Sequence, residues 1–286
     1  MAKRLIVNAD DLGMSVGVNR GIVEAHRHGI VTSTTAMVNR PAAEDGFERV
    51  RREAPELGVG LHVNLTYGRP VLPPDRIPSL VRSDGSFVSV TRGLGLPYTW
   101  ARDEVEAEVE AQFDRFVRLA GGLPDHLDSH MMVGSLSASC AEAMVRIAFR
   151  HRLPMRRGGR AFVERVEREL RAWGGLPQAV TDVVRRLPAV RAATRGSGEV
   201  PSPDAFDVRF LGERATVERL LAILSGLGQG ITELVCHPGY DSDAGDAYGH
   251  REVELAALTD PRVRDRVERL GIELTTFATL GCTTVT

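Results

Sequence analysis

An α/β fold, built on a parallel sheet that curls into a barrel, is what this sequence predicts. Three observations carry that expectation. Apolar runs of strand length alternate with amphipathic stretches, the pattern of a parallel sheet covered by helices. Four of those runs end in an acid or a histidine: LIVN leads into Asp10-Asp11, VGL into His62, HLDS into His130 and ELVC into His237. Reactive groups spread over several strand ends converge in a barrel, whereas in an open sheet they would gather at one switch point. The expected architecture is therefore a distorted TIM-like (β/α) barrel, a single domain over residues 1–286.

The elements follow in order. Residues 4–8 read as a buried strand, and Val18, Ile22 and Val23 share one face of the helix after it. Residues 30–38, rich in Val and Thr, suit a second strand, and residues 58–65 a third. Val105, Val109, Phe113, Phe116 and Val117 recur at helical spacing, and Gly121-Gly122 would end that helix before a strand over residues 125–129. Residues 144–149 suit a helix, 153–155 a short strand and 232–236 a clear one. Asp260 can cap a helix that has Pro261 at its first position and Gly271 just past its end. Residues 272–277 close the series as a last strand.

Two stretches break the rhythm. Residues 69–97 hold five prolines and several glycines and read as a long loop near the barrel mouth. Residues 156–204 are arginine-rich and read as a helical insertion, either a solvated surface with acids paired along helices or a substrate-facing lid or oligomer contact.

Composition excludes several classes. A net charge of −2 leaves no basic footprint for nucleic acid or membrane, and no run is long enough to span a bilayer. Cys140, Cys236 and Cys282 are far apart and odd in number, which argues against a disulfide framework or a thiolate zinc site. The start lacks a signal-peptide core, so a soluble cytoplasmic protein is expected. The oligomeric state stays open, a homodimer included.

The chemistry lies in the strand-end residues. Adjacent side chains on a strand point to opposite faces, so Asp10 and Asp11 can serve one site only where the strand ends. A metal hydrolase has use for such a pair, one acid on the ion and one taking a proton from water; the plain alternative is a helix N-cap. His62 could be a ligand or a satisfied core histidine. Asp128 and His130 lie two apart, so one could orient the other or both approach one ion. His126 is farther down that face and reads as structural. His237, before Pro238, could be a general acid, while Cys236 reads as core. One acid and two histidines make a catalytic ligand set with open positions, and imidazole with carboxylate suits zinc.

VNADDLG, GIVTSTTAMVN, GLHVNLTYGRPV, PDHLDSH and ELVCHPGYD, in that order, resemble the YdjC/ChbG family of carbohydrate deacetylases, as does the tail DAYGHREVELAALTDPRVRDRVERLGIEL. The resemblance implies a distorted β/α barrel that removes acetyl groups from N-acetylated amino sugars. It implies one divalent ion, magnesium or zinc, on Asp11, His62 and His130, with Asp10 as base and His237 as acid. It places Asp128 and Arg251 behind these groups or against substrate, and implies a small carbohydrate as the partner. One departure stands out: relatives carry further histidines in a pattern like DSHHHVH, where this chain has Met131, Met132 and Gly134. An altered, more apolar rim follows. Two other readings stay open, a hydrolase of another amide or ester, such as a lipid-linked or natural-product sugar, and a sugar-binding relative with weakened catalysis.

Overall fold

The computed structural model describes residues 2–88, 100–156, 200–240 and 248–280. Strand β1 (Lys3–Leu12) is its axis, with Leu5, Ile6, Val7 and Ala9 all fully buried. A strand covered on both faces is apolar throughout rather than alternating. Helix α1 (Val16–His28) follows, capped by the Ser15 side chain, which accepts the Val18 N–H. Next come β2 (Ser33–Ala36), α2 (Ala43–Glu53) and β3 (Gly58–Val63). Helix α3 (Arg102–Ala120) ends on Gly121, whose φ of 75° is left-handed. Beyond it lie β4 (Leu127–Ser129), the short α4 (Val133–Leu136), α5 (Ala138–His151) and β5 (Ala205–Asp207). The described chain continues through α6 (Val217–Ser225), β6 (Gly230–Cys236), α7 (Arg251–Thr259), α8 (Pro261–Arg269) and β7 (Glu273–Leu274).

All strand pairs are parallel, in the order β4-β3-β2-β1-β6-β5. Strand β7 pairs with β1 at Arg4 and Leu5, below the stretch where β2 joins it. Past β4 the sheet is carried on by single links: Met155 bridges Leu127, and its N–H donates to Pro201 O at 2.9 Å. The sheet thereby curls into a single-domain, distorted (β/α) barrel, as expected. The Arg156 side chain spans its interior, reaching Asp10 on β1, Asp128 on β4 and Glu233 on β6. Among the described residues no helix is long and apolar enough to cross a membrane.

Several sequence expectations shift. The second strand is Ser33–Ala36 rather than 30–38: Ile30, Val31 and Val38 are buried as core outside the strand, and Met37 adds one further bond, its N–H donating to Leu12 O at 2.8 Å. Similarly, β4 is shorter than 125–129, residues 153–155 contribute only a bridge, and 272–277 shrinks to Glu273–Leu274 before a 3-10 turn at Phe277–Leu280. Helix α8 has the expected caps: the Asp260 side chain accepts the Arg262 N–H, Pro261 is first, and Gly271 turns at φ 59°. Most of the expected arginine-rich insertion, residues 157–199, lies outside the described residues, as do 89–99 of the proline-rich loop. The solvated reading fails at Arg156, whose side chain is only 8% exposed because three carboxylates enclose it.

Candidate active site and metal centre

Asp10 and Asp11 face one site although β1 does not end there. The β1–β2 register shifts between Ala9 and Leu12, and Asp11 is left-handed at φ 77°. This bulge cancels the alternation that would send the two side chains to opposite faces. Both therefore reach the same imidazole: His62 Nε2 lies 3.8 Å from Asp10 Oδ2 and 3.6 Å from Asp11 Oδ1. The N-cap alternative falls away, since Ser15 caps α1.

Around Asp11 the two oxygens have different company. Oδ2 accepts Arg251 Nη2 at 2.7 Å, while Oδ1 faces His62 and, at 3.2 Å, His130 Nδ1. His130 lies just past β4, at the start of a 3-10 turn, rather than on the strand beside Asp128. Asp11, His62 and His130 offer ligand atoms all within 4.8 Å of one another. Ligands at about 2.1 Å from an ion stand roughly 3.0–3.4 Å apart around it. The 3.2 Å separation of His130 from Asp11 Oδ1 matches that spacing and the 3.6 Å separation of His62 is slightly wider, so a small inward shift of His62 would fit these residues to a divalent ion.

The electrostatics agree. Burial opposes ionisation of Asp11, but Arg251, His130 and His237 outweigh it and hold the carboxyl well below the usual range. Burial likewise opposes a charge on His62, yet Asp128 and Asp10 raise its proton affinity. That negative field is the one a cation would occupy in the proton's place. His62 Nδ1 is held by Asp128 Oδ1 at 2.7 Å, which leaves Nε2 turned to Asp11, and Thr35 Oγ1 donates to the same Asp128 oxygen at 2.5 Å. Asp128 thus orients a ligand from behind, as such carboxylates do.

Asp10 is gripped differently. Arg156 Nη2 and Nη1 donate to its Oδ1 and Oδ2 at 2.6 and 2.8 Å, and Asn8 Nδ2 donates to Oδ1 at 2.8 Å. The same guanidinium meets Asp128 Oδ2 at 2.9 Å and Glu233 Oε1 at 2.7 Å. Burial pushes the Glu233 carboxyl up to about 7 against the pull of Arg156. Deeper in the barrel, His126 stacks on Phe277 (ring centroids 3.7 Å apart) and binds Asp125 at 2.5 Å. Burial opposes its charge, but Asp125 and Asp128 raise its pKa to about 9. Its ring fills the space that a Cβ on Gly60 would take, 2.2 Å from His126 Cε1. The structural reading of His126 holds, and Cys236 is likewise a buried thiol whose proton burial tightens.

His237 follows β6 with its side chain 20% exposed, near enough for its charge to bear on Asp11. All seven residues singled out in the sequence, Asp10, Asp11, His62, Asp128, His130, His237 and Arg251, come together at this end of the barrel. Met131 and Met132 are both left-handed (φ 51° and 55°). Met131 is exposed, while Met132 packs on Phe206 and Val235 with Val208 beside them, an apolar wall at the rim. Gly134 N–H donates to Ser129 Oγ at 2.9 Å, and a Cβ there would meet Met144 Sδ at 2.7 Å. Sequence reasoning missed Arg156, Glu233, Glu254 and Tyr248. Glu233, a charge inside the apolar run ITELVC, was the one with a readable signal.

The family model described as YdjC-like protein matches residues 4–269. A carbohydrate deacetylase of Geobacillus stearothermophilus is 36% identical over 282 residues, 97% of this chain and 98% of that one. A chitooligosaccharide deacetylase of Proteus mirabilis is 35% identical over 289 residues, 98% of this chain and all (100%) of its own. Among solved structures, a putative cellobiose-phosphate cleavage protein from Enterococcus faecalis superposes with a TM-score of 0.81 at 28% identity, covering 98% of this chain and 99% of that one.

Proposed function

Since the chain belongs to the YdjC-like family, we propose that it is a metal-dependent hydrolase that removes the acetyl group from an N-acetylated amino sugar or its short oligosaccharides. The observation that carries this reading is the ligand triad of Asp11, His62 and His130 with an arginine-held acid, Asp10, at its edge. The names of the two deacetylase relatives supply the substrate class.

A divalent ion, magnesium or zinc, held by Asp11, His62 and His130 would supply Lewis acidity toward an amide carbonyl. The protein's own groups do the rest. Asp10, aimed by Arg156, takes a proton from the attacking water. Asp128 fixes the His62 ring, and Arg251 leaves only one Asp11 oxygen facing the histidines. His237, partly open to solvent, gives a proton to the departing amine. Met132, Phe206 and Val235 form an apolar wall beside Arg156, whose guanidinium carbon lies 5.4 Å from the Phe206 ring centroid.

Acetate release from N-acetylglucosamine and chitobiose, with and without chelator, tests the reading. Chelator-sensitive release is expected; none from either sugar would refute it. The apolar wall favours a second reading, in which the substrate is a lipid-linked or otherwise acylated sugar. Chelator-sensitive hydrolysis of such a compound, with chitobiose untouched, would select that one.

A further inference from the structure

The first turn of α7 touches the site twice. Arg251 donates to Asp11, and Glu254, three residues on and on the same helix face, lies behind His237. Glu254 is wholly buried (0% exposed). Its Oε2 accepts the His237 backbone N–H at 2.5 Å and stands 3.9 Å from His237 Nδ1. Its Oε1 accepts the Tyr248 hydroxyl and, at 3.4 Å, the Gly212 N–H. His237 Nδ1 is itself buried and makes no hydrogen bond among the described residues. An unmade bond at a buried ring nitrogen is costly, so a ring N–H and a carboxylate oxygen this close are poised to join.

We infer that Glu254 is a positioning residue that holds His237 as the proton donor: it accepts Nδ1–H, fixes the tautomer and turns Nε2 toward the site. A carboxylate oxygen has two lone pairs, so Oε2 can take the backbone N–H and the ring N–H together. Burial raises the proton affinity of Glu254 above the ordinary carboxylate value, and the charge of His237, the Tyr248 hydroxyl and two backbone N–H groups offset this only in part. The other titratable and charged groups facing the pair are Cys236 at the end of β6, Tyr248 and Arg251 around the start of α7, and Asp11 on β1. In the reaction, the C–N bond breaks with its electron pair passing to nitrogen, His237 Nε2–H supplies the proton to that nitrogen, and Glu254 stays a carboxylate throughout. This role rests on the deacetylase reading for its chemistry; the Glu254–His237 pairing does not.

Two measurements on Glu254→Gln test it. In proton NMR, with His237 assigned through His237→Gln, the imidazole should titrate at lower pH in the variant than in the parent. Equal midpoints overturn the pairing whatever the reaction proves to be. In kinetics, kcat on N-acetylglucosamine should fall about tenfold or more with KM little changed. The rate on p-nitrophenyl acetate, whose phenolate departs without a proton, should hold. Equal losses on both substrates overturn the positioning role and leave the deacetylase reading standing. Absence of acetate release from N-acetylglucosamine by the parent would refute that reading, while the NMR comparison would still decide Glu254. Glu254→Asp, which keeps the charge, should restore part of the amide rate; full loss there, matching Glu254→Gln, overturns the role as well.

Discussion

Asp10 and Asp11 are neighbours in sequence, each is buried, and each is met by a buried arginine, yet the two sides of the site are built differently. On the Asp10 side both carboxylate oxygens are engaged by Arg156, itself locked by Asp128 and Glu233 across the barrel interior. On the Asp11 side Arg251 takes one oxygen and leaves the other to two imidazoles. A bidentate fork fixes a carboxylate's orientation. A single contact holds it while keeping a lone pair free for a cation. The difference lies in hydrogen-bond occupancy rather than residue type, and it suits two identical side chains to the separate tasks proposed above.

Exchanging the two acids breaks that comparison most sharply. Asp11→Asn should abolish bound metal, read by elemental analysis, and activity with it. Asp10→Asn should keep the metal and lose about 10²–10⁴-fold in kcat. Near-full activity in Asp10→Asn would remove it as the base, and equal metal loss in both variants would erase the division of labour.

Next in size is the hub itself. Arg156→Met leaves Asp10, Asp128 and Glu233 buried without their shared cation, and breaking a buried pair costs about 3–5 kcal/mol. Chemical denaturation should show a loss of that size. A change under about 1 kcal/mol would mean the interior tolerates the uncompensated acids.

The smallest effect concerns pH and sharpens the same side. His126 titrates at 6.5 ordinarily and is raised to about 9 when folded, so the native state holds its proton more tightly than the unfolded chain. Its contribution is fully present below about 6.5 and is lost as pH rises through 9, a change of at most about 3 kcal/mol. Denaturation midpoints should therefore fall more between pH 6 and 10 in the parent than in His126→Gln. Parallel pH curves would show that the proton is not retained.

The site was more legible in the sequence than the frame that holds it. Acids and histidines at the ends of apolar runs stand out because burial of a charge is costly and seldom accidental. Arg156 was hidden for the opposite reason: it opens a stretch dense in arginines, and only the single bridge at Met155 carries it into the barrel. Helix α2 buries only Ala43, Gly46, Phe47 and Val50, too thin a stripe among charges to announce itself. At three residues, β5 has no period to read. The bulge at Asp11 depends on a left-handed aspartate, which no hydrophobic pattern records.

Gly60 carries a consequence of its own. The imidazole of His126 occupies the volume that any side chain at position 60 would need, so β3 and the residue leading into β4 share one parcel of space between them. Position 60 can gain a side chain only if position 126 gives up its ring. A glycine without any turn to make, in the middle of a strand, is here the counterpart of a histidine sixty-six positions downstream, and a substitution tolerated in one relative would be ruinous in another that had kept the ring.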